Sequence, residues 1–193
     1  MAASGHKATS CSEVKSVNPA ADDGEYTLHP FSADNDVSLR VYCHVIASEN
    51  PKEFLTLPAG AEENYSIVSS DQLLGSTWFL CPGILQQPYV SRAGTTKFSK
   101  LRIKFENSSV EVIRVDYTFA STCGPNEISY AHAGDCYSEG QGCAKGTFKV
   151  NLTGTELKLA PGVHWALQER NPASLTINDM FISMDRKVAS ARC

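Results

Sequence analysis

At 193 residues, the chain is long enough for one domain with a core of its own, independent of metals or cross-links. Apolar residues make up 42% and charged residues 20%, a globular balance that excludes a disordered chain. The net charge of −4 excludes a simple electrostatic grip on nucleic acid. No apolar run approaches the roughly 20 residues of a membrane-spanning helix.

Taken in chain order, residues 1–10, MAASGHKATS, lack the apolar core of a signal peptide and read as an unstructured leader. CSEVKSV, 11–17, is expected to form a short helix opening at Ser12. ADDGEY follows. Asp22 and Asp23 resemble a calcium loop faintly, and a turn with Gly24 in the left-handed region explains them equally well. SLRVYCHVI, 38–46, has the period-two pattern of a strand: Leu39, Val41, Cys43 and Val45 on one face, Arg40, Tyr42, His44 and Ile46 on the other. Asn50-Pro51 turns the chain into a further strand, EFLTL.

Residues 69–75 have room for one helical turn, and the prolines and glycines of 81–94 mark a loop. LRIKF, 101–105, alternates with Arg102 and Lys104 outward. VEVIRVDYTF, 110–119, alternates in two registers with a slip at Val112-Ile113 that predicts a bulge. Asn107-Ser108 between these runs marks a hairpin. A second loop covers 124–146. TFKVNL then places Phe148, Val150 and Leu152 inward, and Thr153-Gly154 is expected to turn it into a hairpin with TELKL, with Leu157 and Leu159 inward. The sum is an all-β domain, mainly antiparallel and sandwich- or barrel-like, with minor helix and long cysteine-bearing loops. It is read as one domain over 11–193.

The seven cysteines are Cys11, Cys43, Cys81, Cys123, Cys136, Cys143 and Cys193. Zinc sites use Cys-x2-4-Cys pairs, and none occurs here, so disulfides are the better reading. That places the chain in an oxidising compartment, as a piece of a larger secreted protein rather than a cytosolic one. An odd count leaves one thiol free or bonded outside the segment. Sequons at Asn64, Asn107 and Asn151 agree with a secretory history and are candidate glycosylation sites. Asn64 is expected just before a short strand, Asn107 in a hairpin turn, and Asn151 facing water.

Neighbours on a strand point to opposite faces, so Cys43 and His44 do not converge on one ion. Cys43 suits a buried disulfide and His44 a half-exposed surface. The chain has no HExxH helix, GxSxG elbow or P-loop. His6, His29, His44, His132 and His164 stand at no ligand spacing. Asp135, in a glycine-rich stretch beside Cys136, could hold a cation, but a cross-linked loop that needs its glycines explains it better. Trp78 and Trp165 read as packing residues. No catalytic or metal residue is assigned, and no cofactor.

CSEVKSVNPAADDGEYTL, VYCHVIASENPKEFLTL with EENYS, FSKLRIKF, and YAHAGDCYSEGQGCAKGTFKVNLTGTELKL together resemble a GON domain. That is the C-terminal module of a subgroup of ADAMTS-type secreted metalloproteases, and the likeness covers roughly residues 11–193. The start also resembles a fibrinogen-type domain, in which a leading cysteine precedes a D/S-G-x-Y-x-L strand and a VYC strand. This likeness implies a Cys11–Cys43 disulfide. Against the GON pattern, Cys81 stands alone, Cys123 is an addition and could be its partner, and the terminal cysteine cluster is missing. Cys136 could bond Cys143 or Cys193.

The resemblance implies a secreted zinc protease that cleaves extracellular-matrix proteoglycans. Its zinc ligands match no position here, so the segment itself is expected to be non-catalytic. Its implied role is contact with extracellular-matrix or secretory-pathway proteins, and its implied location is secreted, in the matrix. A lectin-like recognition domain is the alternative.

Overall fold

The computed structural model describes residues 7–31, 37–68, 94–106, 109–124, 126–133, 146–163 and 181–192. A helix, α1 (Cys11–Val17), opens the fold. Ser10 caps it by accepting from Glu13 N, while Glu13 reaches back to Thr9 N at 2.6 Å and Thr9 Oγ1 at 2.7 Å. This reciprocal arrangement satisfies amides that a helix start leaves open. The cap is therefore Ser10, two residues before the expected Ser12, and the helix begins at Cys11. Ala8 also accepts a bond from His29 N, so the leader expected over 1–10 is already in contact with the fold by Ala8.

Eleven strands follow among the described residues: β1 (Gly24–Leu28), β2 (Leu39–His44), β3 (Lys52–Thr56), β4 (Tyr65–Val68), β5 (Gly94–Phe98), β6 (Lys100–Glu106), β7 (Ser109–Val112), β8 (Ala120–Cys123), β9 (Gly146–Asn151), β10 (Phe181–Ile182) and β11 (Val188–Arg192). They form a five-stranded sheet in the order β1-β2-β3-β6-β7 and a six-stranded sheet in the order β10-β11-β9-β4-β5-β8. Every pairing is antiparallel.

One buried cluster joins the sheets. Leu39, Val41, Leu55, Leu101 and Ile103 come from the first; Phe98, Phe148, Val150, Ala189 and Ala191 come from the second. Each large apolar side chain so buried contributes about 1.5–3 kcal/mol relative to exposure. The chain crosses between the sheets at Ser99, the one residue separating β5 from β6. Leu57 N donates to its carbonyl at 3.0 Å, and its own amide donates to Phe119 O at 3.0 Å.

The expected all-β, antiparallel class is what the fold shows, and alternation located the inward faces of β2, β6 and β9. Four details differ. Val45 takes a positive φ of 47°, which resets the parity after β2, so Val45 is exposed and Ile46 is 1% exposed. The slip at Val112-Ile113 is the end of β7, not a bulge, and the chain leaves the sheet at Arg114. Residues 155–159 form no strand. They run alongside the β10–β11 connection instead, with Leu159 N donating to Arg186 O at 2.9 Å. Gly24 is an ordinary strand residue, and the positive-φ glycines described are Gly60, Gly124 and Gly154. The expectations for 69–75 and Asn107, and those for His6, Trp78, Asp135, His164 and Trp165, fall outside the described residues.

Candidate interaction surface

Cys11 and Cys43 form a disulfide, with Cα atoms 5.5 Å apart and both residues fully buried. It staples α1 to β2 at the floor of the first sheet. Glu53 reinforces the joint: Oε1 accepts from Cys11 N at 3.2 Å, and Oε2 lies 3.3 Å from Arg102. Cys123 is a free, exposed thiol at the end of β8. Cys81, Cys136, Cys143 and Cys193 lie outside the described residues.

The outer face of the five-stranded sheet is covered rather than bare. Register places Glu25, Tyr42, Phe54 and Arg102 in one row across four strands. Phe119, from the segment after β7, lies on this face with its ring 4.8 Å from Phe54, 5.1 Å from His44 and 5.4 Å from Tyr42. All three contacts are edge-to-face, the arrangement that aromatic quadrupoles favour. Lys100 adds its ammonium 4.5 Å above the Tyr42 ring, and Arg102 lies 5.6 Å from Phe54. Lys100 also donates to Thr56 Oγ1 at 2.7 Å, and Thr56 in turn donates to Glu25.

His44 is therefore no bystander. Its Nδ1 lies 3.0 Å from Asp23 Oδ2, and that carboxylate also accepts from Val45 N at 2.8 Å and Ile46 N at 2.7 Å. Asp23 thus holds the left-handed turn after β2, a structural use of the residue that had resembled a calcium ligand. The bond from Ile46 N, with those from Val45 and His44, keeps the Asp23 carboxyl below the ordinary carboxylate range. No group of three or more potential metal ligands occurs among the described residues.

The sequons part company. Asn64 does precede β4, but it is 0% exposed and its amide is fully committed. Nδ2 donates to Gly60 O and Asn151 O, both at 3.1 Å; Oδ1 accepts from Tyr130 Oη and Asn151 N, both at 2.8 Å. A glycan on Nδ2 would have to displace the bonds to Gly60 O and Asn151 O. Asn151 sits on the half-buried face of β9 opposite Val150 and Leu152, as alternation requires, and its Nδ2 donates to Glu63 at 3.1 Å. Lys149 and Asn151 hold the Glu63 carboxyl below its usual range.

On the core-facing side of the six-stranded sheet, the face that carries Phe98 and Phe148, residues 126–133 form a strap laid tightly over the strands. A Cβ on Gly94 would meet Asn126 O at 2.2 Å, and one on Gly146 would meet Ala133 O at 1.3 Å. Ile128 N donates to Thr96 Oγ1 at 2.7 Å, and His132 N to Ser66 Oγ at 3.3 Å. Arg114 clamps the strap from its carbonyls, donating to Tyr130 O at 2.6 Å and Ala131 O at 2.9 Å. Ile128 and Tyr130 are buried beneath, and burial raises the Tyr130 hydroxyl pKa far above its ordinary value. Outside, Tyr117, Asn126, Glu127, Ile128, Ser129 and His132 line a shallow groove of about 270 Å³.

Phe54, Phe119, Asn64 and Tyr130 were missed as organising residues. The doublet Phe54-Leu55 was the one available signal, because two adjacent apolar residues on a strand imply cover on both faces. No helix among the described residues is long and apolar enough to cross a membrane.

The described residues thus form a two-sheet antiparallel domain stapled by one disulfide. The chain belongs to the GON domain family, whose match spans residues 8–193. It is 35% identical over 167 residues to human "a disintegrin and metalloproteinase with thrombospondin motifs 20", covering 83% of this chain and 8% of that protein. The mouse protein of that name is 31% identical over 170 residues, or 84% of this chain and 8% of its own. "A disintegrin and metalloproteinase with thrombospondin motifs gon-1" of Caenorhabditis elegans is 30% identical over 174 residues, or 86% and 8%. The chain thus spans about a twelfth of these relatives' length. No solved structure matches it.

Proposed function

We infer that this chain serves an ADAMTS-type secreted metalloprotease as a non-catalytic contact module, docking the enzyme to extracellular-matrix or secretory-pathway proteins. The observation that carries this reading is the family match across residues 8–193. The internal use of His44, Asp23, Glu53 and Arg102 supports the same reading, since groups held in structural bonds are poor general acids and bases. Disulfide formation fits a secreted setting. In this reading the zinc and the cleavage of proteoglycans belong to a catalytic domain elsewhere in the parent protein.

The test is deletion of the corresponding segment from a full-length relative. Hydrolysis of a short peptide substrate should persist, while secretion or retention on cell-derived matrix falls. Loss of peptide hydrolysis with unchanged secretion and retention would refute the assignment.

A further inference from the structure

We propose that Ser109 is phosphorylated in the secretory pathway by a kinase that reads a carboxylate two residues after its serine, an inference that rests on placing the chain in that pathway. Ser109-Val110-Glu111 is the only stretch of the sequence in which glutamate stands two places after serine. Both residues lie on β7, where side chains two apart share a face. Ser109 and Glu111 are exposed, while Val110 and Val112 turn in and pack against the core. Hydroxyl and carboxylate therefore project together from one side of a strand that is already extended.

Position in the sheet leaves room for the enzyme. Strand β7 closes one edge of the five-stranded sheet, paired to β6 on one side and to no described strand on the other. The Ser109 hydroxyl makes an exposed bond, donating to Glu106 O at 2.8 Å, which water or an incoming base can replace. Ser183 is the contrasting case. It is the other described serine with a carboxylate two places on, at Asp185. Its hydroxyl bonds that carboxylate at 2.6 Å and accepts from Lys187 N at 3.1 Å and Val188 N at 2.9 Å. Ser183 is consumed in holding its turn, and Ser109 is not.

The step balances with ATP as the phosphoryl donor. A bond forms between Ser109 Oγ and the γ-phosphorus, and the bond from that phosphorus to the β–γ bridging oxygen breaks. ADP leaves, and the hydroxyl proton passes to a base of the kinase. The product adds a charge of about −1.5 to −2 at pH 7. Register sets its surroundings: Ser109 faces Glu106, and Lys104 faces Glu111 one step along the same exposed face. The phosphate thus turns a mixed cluster into an acidic one.

The test uses the unglycosylated 193-residue chain, made disulfide-bonded in an oxidising bacterial compartment. It is incubated with labelled ATP and a detergent extract of Golgi membranes, with casein as the positive control. Peptide mapping should place the label on Ser109, and Ser109→Ala should remove it. The labelling rate should fall at least about tenfold in Glu111→Gln, the scale of losing a hydrogen bond to a charged group. Glu111 is exposed, so this variant should melt like the parent. Labelled casein beside an unlabelled chain, label confined to other residues, or an unchanged rate in Glu111→Gln would overturn the proposal. Matrix retention is measured on the same chain before labelling. Retention without any labelling leaves the contact-module reading standing and removes only the Ser109 site.

Discussion

The side chain of Asn64 pairs with the backbone of Asn151 as a strand would, with its Nδ2 on Asn151 O at 3.1 Å and its Oδ1 on Asn151 N at 2.8 Å. The amide of one sequon thus completes the ladder of another. Tyr130 Oη adds a third partner and Gly60 O a fourth. Replacing Asn64 by Ala would strand the Asn151 backbone and the Tyr130 hydroxyl in a buried site. Each such loss costs about 1–3 kcal/mol. Asn64→Ala should therefore lower unfolding free energy by about 3 kcal/mol or more, and Tyr130→Phe by about 1 kcal/mol. Urea denaturation reads both, and a smaller loss for Asn64→Ala than for Tyr130→Phe would contradict the network.

Glycan mapping of the protein from a secretory host follows from the same geometry. Asn64 should be unmodified in folded material. Any glycan on the described sequons should be at Asn151.

Asp23 makes stability depend on acid. Its folded pKa lies below the usual value of about 3.9, so its contribution is complete above that value and is lost as pH falls through the folded pKa. Asp23→Asn should remove part of the drop in melting temperature between neutral pH and about pH 3. An identical acid dependence in parent and variant would show that the turn does not need the carboxylate.

Gly146 tests the strap. An added methyl would overlap Ala133 O, a backbone atom with no freedom to swing away. Gly146→Ala should cost about 3 kcal/mol or more, the upper range of overpacking, or prevent folding. Gly60→Ala, at a positive φ but with open space around it, should cost about 1 kcal/mol. Thermal melts of the two variants, side by side, separate these outcomes.

The disulfide should matter most to secretion. Breaking Cys11–Cys43 by Cys43→Ser removes a cross-link of sequence separation 32, and losing a native disulfide from a small secreted domain costs about 2–5 kcal/mol. Against the roughly 5–15 kcal/mol that holds a domain folded, retention of the parent protein inside the cell is expected.

Alternation carried much of this fold in the sequence. Phe148, Val150 and Leu152 could be placed inward because β9 has period two throughout and has one face on the core. Ile46 could not, because a single left-handed residue at Val45 shifts the parity and leaves no compositional mark. The run 155–159 still shows the alternation of a strand, but its partner is the β10–β11 connection, a contact remote in sequence. The structural bonds of Asn64 were not legible, because a sequon and a buried structural amide are written with the same letters. The groove was illegible for a similar reason: its side chains converge only once the strap is seated on glycines of two separate strands.

The central claim, that this domain makes contacts and performs no chemistry, is tested most directly by incubating the pure chain with proteoglycan-rich matrix in the presence of zinc and calcium. Both retention of the chain and the size of the core proteins should be followed. The account predicts saturable retention that Cys43→Ser abolishes, with every core protein intact. Chelator-sensitive fragments released by the chain alone, or no retention by the folded chain, would contradict it.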